Sequence, residues 1–140
     1  VDAKEQGFET VLLADHTGCV TEGPGFNVFA LKGSCVITPE RGVLLGITRQ
    51  TVLEMARDAG FDTEERALPV SELMEAEEVF LSSSGGGVLP VRRINDRVLS
   101  NGGAGPVAMR LRKTYFDLTK HAAYRTDIAY AEQGADQTAP

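Results

Sequence analysis

Two textures of hydrophobic and polar residues follow one another along this chain. As far as Pro39 the apolar positions come in short runs interrupted by turn formers, the pattern of strands. Thr10–Ala14 reads as a short buried strand and Asp15-His16-Thr17-Gly18 as the turn after it. Cys19-Val20-Thr21 resumes an extended run, and Asn27–Leu31 is a further strand. Lys32-Gly33-Ser34 is a hairpin turn into Cys35–Thr38, which Pro39 ends. An antiparallel, meander-like opening is therefore predicted.

The period then lengthens. Val52, Met55, Ala56 and Ala59 recur at helical spacing, with Thr48 as the expected N-cap and Gly60 as the stop. An extended stretch over Thr63–Leu68 precedes a helical turn with Ser71 as its expected N-cap. Val79–Leu81 is a short strand that runs into Ser82-Ser-Ser-Gly-Gly-Gly87. Pro90–Ile94 and Arg97–Leu99 flank Asn95-Asp96, a two-residue hairpin signal. Gly105-Pro106 opens a last helix with Val107, Leu111, Tyr115 and Leu118 on one face. From Ala131 the tail has no periodic apolar face and is expected to be disordered. There is no internal repeat and no linker dividing two domains.

Composition narrows the function classes. With 140 residues, 42% hydrophobic and 24% charged, the chain fits one globular domain or one part of a larger one. Fourteen Lys and Arg against twenty Asp and Glu leave a net charge of -6, which disfavours binding to nucleic acid. No apolar run approaches the roughly 18–20 residues of a membrane span, and Val1–Gln6 does not read as a signal peptide. Cys19 and Cys35 make no disulfide framework, and two histidines give no metal site. A cytoplasmic setting is expected.

Three segments offer chemistry. Thr21-Glu-Gly-Pro-Gly-Phe-Asn27 sets a carboxylate between strands; a solvated loop is its plain reading, a carboxylate facing a cationic ligand group its functional one. Leu44-Leu-Gly-Ile-Thr-Arg49 puts a glycine and a hydroxyl at a helix start, where N–H groups and the dipole suit phosphate. Thr48 as a simple cap is the commoner case, and both roles are compatible. Ser82-Ser-Ser-Gly-Gly-Gly87 allows close backbone approach to an anion, and the apolar Val88-Leu-Pro-Val91 argues against a flexible linker. None is a P-loop or a dinucleotide fingerprint.

In this order the segments carry more. EGPGFNVF, TPERGVLLGITR, EAEEVFLSSSGGGVLPV and GAGPV together resemble the class IV (fold type IV) PLP-dependent aminotransferases over about Gly7 to Tyr130. The resemblance implies an α/β chain, the larger C-terminal domain of the D-amino acid aminotransferase-like fold. EGPGFNVF, RGVLLGITR, Tyr115–Leu118 and Tyr124–Tyr130 look most similar to (R)-selective amine transaminases.

The resemblance also implies residue roles. Glu22 matches the carboxylate that pairs with the pyridine nitrogen of pyridoxal 5'-phosphate and keeps it protonated, so that the ring acts as an electron sink. Leu44 matches the apolar residue on the ring. Ile47 and Thr48 match the pair whose N–H groups, with the Thr hydroxyl, hold the phosphate, and Ser84 matches a second hydroxyl on it. Ser83, Gly85 and Gly86 match the loop facing the substrate. Two departures stand out: Leu45 replaces a frequent Pro, and Ser83-Ser84-Gly85 replaces Thr-Thr-Ala, which widens the space beside the substrate.

The family's Schiff-base lysine lies upstream of the Glu22 motif, and Lys4, Lys32, Lys113 and Lys120 do not match it. No catalytic residue is therefore assigned within this chain. The expectation is residues 1–130 as a C-terminal cofactor-binding domain and 131–140 as a tail. The lysine and the N-terminal domain are expected in the rest of a longer polypeptide or in a separate chain. With them, as a homodimer, the protein would move an amino group between an (R)-amine or D-amino acid and a keto acid such as pyruvate. Branched-chain amino acid aminotransferase and 4-amino-4-deoxychorismate lyase are the rivals within the fold. A non-catalytic binding module is the rival from another class.

Overall fold

In the computed structural model, which describes residues 10–23, 25–99 and 102–119, strands and helices alternate around one mixed sheet. The expected tail from Ala131, Tyr124–Tyr130 and Lys4 lie outside the described residues. Phe26–Lys32 (β2) is central, pairing antiparallel with Cys35–Thr38 (β3) and with Glu78–Ser83 (β5). Glu22–Gly23 (β1) pairs with the start of β2, and Gly87–Val91 (β6) pairs antiparallel with β5. Asp62–Glu65 (β4) lies parallel to β3, giving the order β4-β3-β2-β5-β6.

A parallel neighbour needs a crossover, and Ile47–Asp58 (α1) supplies it between β3 and β4. Val70–Glu75 (α2) precedes β5, and Arg93–Ile94 (β7) with Arg97–Val98 (β8) forms the expected separate hairpin. Pro106–Thr119 (α3) is the last described helix. The expected meander, both hairpin turns and the helical face of α3 are all present.

Both faces of the sheet are covered, which explains why its central strands β2 and β5 are mostly apolar on both sides. On one face Phe29, Leu31 and Phe80 pack with Val52, Leu53, Met55 and Ala56 of α1 and Ala108 and Leu111 of α3. Phe29 and Phe80 are register partners and stack with centroids 5.1 Å apart. Burying each ring contributes about 2–3 kcal/mol. On the other face Val28, Ala30, Val79 and Leu81 pack with Val20, Leu68, Leu73 and Leu99.

The first turn of α3 rests on Glu78. This carboxylate is buried and accepts the backbone N–H groups of Val107 (3.1 Å) and Ala108 (3.0 Å). A negative group there meets both the orphan donors and the helix dipole.

Several expectations need correction. Thr10–Ala14 is not a buried strand: Val11 and Leu13 are exposed, and only a single bridge, Ala14 to Val20, forms there. Thr48 does not cap α1; the N-cap is Gly46, and no side chain caps the helix. Ser71 does not cap α2, whose N-cap is Pro69; the helix already begins at Val70, which leaves Ser71 inside its first turn. Pro90 and Val91 belong to β6 of the main sheet and not to the Asn95-Asp96 hairpin. The Ser-Gly run is half strand and half tight turn, since β5 continues to Ser83 and β6 begins at Gly87.

Candidate functional site

The site forms where the carboxyl end of β3, through residues 39–46, feeds the start of α1. Beside it, Asn27 of β2 has Glu22 of β1 as its partner on one side and Ser82 of β5 on the other. Register partners project to the same face, so Glu22, Asn27 and Ser82 share the face that carries Phe29 and Phe80. A polar row thus crosses three strands at the end of an apolar face.

The loop is fastened to this row at Leu44. Its N–H donates to Glu22 Oε2 (2.8 Å), and its carbonyl accepts from Asn27 Nδ2 (2.9 Å). One carboxylate oxygen of Glu22 is thereby held by the backbone, which fixes how the carboxylate presents itself. From behind, Arg49 in the first turn of α1 is buried, with Nη1 on Glu65 (2.9 Å) and Nη2 on the Pro39 carbonyl (3.1 Å). The uncapped start of α1 leaves its first N–H groups to the loop side.

A cavity of about 390 Å³ occupies this corner. Glu22, Leu44, Ile47, Thr48, Ser83 and Ser84 all line it, with Gly23, Gly25, Phe26, Asn27, Gly46 and Ser82. Six residues singled out from the sequence therefore meet in one hollow. Gly85 and Gly86 are not among the lining residues; they form the β5–β6 turn, where the Gly86 N–H donates to Ser83 Oγ (2.9 Å). The rim is apolar, with Leu44, Leu45 and Ile47 at 73%, 69% and 88% exposure.

Asn27 and Ser82 escaped the sequence reading. Both are buried, and Ser82 Oγ is a buried hydroxyl that makes no hydrogen bond within the described residues. The available signal was a polar residue inside an otherwise apolar strand, next to a glycine motif. A second hollow of about 350 Å³ lies on the face away from α1 and α3, lined by Val11, Leu13, Val20, Leu73, Leu81 and Ile94 among others. It holds none of the expected site residues.

The donor set fits a phosphorylated pyridine cofactor. The hollow has a carboxylate for a cationic ring nitrogen, and it has a helix start without a side-chain cap and four serine and threonine hydroxyls for an anion. The volume is that of a small-molecule site.

The comparisons decide the family. Residues 2–94 match the model of the family described as amino-transferase class IV. The chain belongs to that family.

A branched-chain-amino-acid aminotransferase of Pseudomonas aeruginosa is 36% identical over 131 residues, covering 89% of this chain and 43% of that protein. A probable branched-chain-amino-acid aminotransferase of Synechocystis is 38% identical over 122 residues, covering 86% and 39%. Among solved structures, the T.th. branched-chain amino acid aminotransferase with pyridoxamine 5'-phosphate superposes with a TM-score of 0.80 at 34% identity, over 86% of this chain and 41% of that one. The Thermobaculum terrenum branched-chain amino acid aminotransferase in its PLP form gives 0.79 at 33%, over 88% and 42%. The chain spans about two-fifths of the length of the relatives it matches. The mixed α/β architecture of this member of the class IV family is thus the one that its sequence motifs implied.

Proposed function

We propose that this chain is the cofactor-holding part of a PLP-dependent transaminase. The observation that carries the reading is the shared hollow, in which Glu22 lies at one wall and the uncapped start of α1 at another. In this reading Glu22 meets the pyridine nitrogen and Leu44 lies on the ring. The N–H groups of Ile47 and Thr48 and the hydroxyls of Thr48 and Ser84 hold the phosphate. Ser83, Gly85 and Gly86 face the substrate. Bound PLP would supply an electron sink for the pair left on the substrate carbon when its proton departs. Glu22, with one oxygen on the Leu44 N–H, keeps negative charge beside the ring without rotating away.

The substrates are an amine and a keto acid. Relatives named for branched-chain amino acids support that class of donor. The segments EGPGFNVF and RGVLLGITR, which look most similar to those of (R)-selective amine transaminases, support the second reading, an (R)-amine or D-amino acid donor. A homodimer working in the cytoplasm completes the proposal. In the protein at its natural length, Thr48→Ala and Ser84→Ala each remove a hydroxyl from a charged hydrogen bond worth about 1.5–3 kcal/mol. PLP affinity, read by fluorescence titration, should fall about tenfold or more in each. Wild-type affinity in both variants would remove them from the phosphate site. A panel of L-leucine, D-alanine and an (R)-arylamine separates the donor readings.

A further inference from the structure

Asn27 is a buried amide near the start of β2, and its side chain leads to the start of α1. Its Nδ2 donates to the Leu44 carbonyl at 2.9 Å. The same carbonyl accepts the Gly46 N–H at 3.0 Å, so one oxygen joins β2 to the residue that caps the helix. Gly46 in turn accepts the Gln50 N–H (3.1 Å), the first turn of α1. The Asn27 side-chain carbonyl lies under Gly46, where a Cβ on that glycine would come within 3.5 Å of Oδ1. The donor end of the amide is thus spent on Leu44, and its oxygen lies beside Gly46.

Leu44 itself is 73% exposed. Its carbonyl still accepts the Gly46 N–H when the Asn27 donor is removed, which limits the desolvation penalty. The hydrogen bond from Asn27 therefore adds little to global stability. What it does is choose one position for a loop that solvent would otherwise let wander. That position sets where the Ile47 and Thr48 N–H groups point, because the helix grows directly from Gly46.

We infer that Asn27 is a positioning residue, holding the start of α1 against β2 so that its N–H groups converge on the phosphate of the cofactor. The inference rests on the phosphate-site reading above. Asn27 acts through Leu44 and Gly46, not by touching the phosphate.

The test compares PLP with pyridoxal, which has the same ring and no phosphate, on the cofactor-free protein at its natural length. In Asn27→Leu, of similar volume and with no donor, PLP affinity should fall about tenfold. Pyridoxal affinity should stay within about threefold, and the unfolding midpoint without cofactor should move by no more than about 2 °C. An equal loss for both ligands, or unchanged PLP affinity, overturns the inference. So does a PLP loss that merely follows a fall in cofactor-free stability. If Asn27→Leu does not fold, Asn27→Ser, too short to reach Leu44, is read by the same split. A wild-type protein that binds pyridoxal as tightly as PLP would remove the phosphate-site reading itself, and this inference with it.

Discussion

Gly105 leaves the space that Glu78 fills. A Cβ at position 105 would lie 1.9 Å from Glu78 Oε1 and 2.3 Å from its carboxyl carbon. The carboxylate cannot step aside, because both oxygens are engaged by the first N–H groups of α3. Gly105→Ala should therefore cost about 2–4 kcal/mol. Glu78→Ala, which strips the buried helix start of its acceptor, should cost about 2–3 kcal/mol. Urea unfolding checks both. The double variant should cost clearly less than the two together, since removing the Glu78 side chain beyond Cβ removes the three atoms nearest to the new methyl. Strict additivity would mean that the two residues do not interact.

A second prediction concerns acid. Arg66 donates to Glu72 and Glu64, joining β4 to α2. The guanidinium hydrogen bonds hold the Glu72 carboxyl below the ordinary glutamate range, against a smaller opposing effect of burial. A lowered folded value means that the stabilisation is complete above the unfolded value and is lost as pH falls through the folded one. Glu72→Gln should thus be less stable than wild type at neutral pH. The gap should close as pH drops below about 4.3, the ordinary glutamate value. Both partners are partly exposed, so the gap is small. Denaturant midpoints taken across this range decide it; a gap that does not vary with pH would count against the lowered value.

Glu22→Gln tests the cofactor reading at the carboxylate. The amide keeps the size of the side chain and still accepts the Leu44 N–H, but it removes the charge beside the ring. PLP should stay bound within about threefold. The half-reaction with amino donor should slow at least about tenfold, on the order of 1.4 kcal/mol of barrier. Stopped-flow absorbance of the cofactor reports the rate. An unchanged rate would detach Glu22 from the ring nitrogen.

Legibility from sequence divides along physical lines. β2, β3 and the apolar faces of α1 and α3 are readable because burial decides them and apolar spacing records burial. The capping rule misplaces Thr48 because it supposes that a helix satisfies its own first donors. Here Gly46 leaves them to the cavity side. Thr10–Ala14 reads as core because Val-Leu-Leu is apolar, yet Val11 and Leu13 border the second hollow with one side open. Glu78 is unreadable, since the helix start it serves lies about thirty residues away along the chain. Six of the motif residues line one hollow, while Gly85 and Gly86 lie outside its lining. Asn27 and Ser82 emerge only once the register sets them side by side.

The two ends of the sheet bear on how the protein behaves in a crowded solution. Among the described residues β4 pairs only with β3, and three of its four residues are Asp62, Glu64 and Glu65. A strand arriving from another molecule would have to settle its backbone beside that row of carboxylates. At the opposite end β6 carries Pro90, which has no N–H to offer. Charge at one border and a missing donor at the other discourage edge-to-edge stacking of copies into fibres. A sheet this rich in valine and phenylalanine is in this way kept from recruiting its own kind.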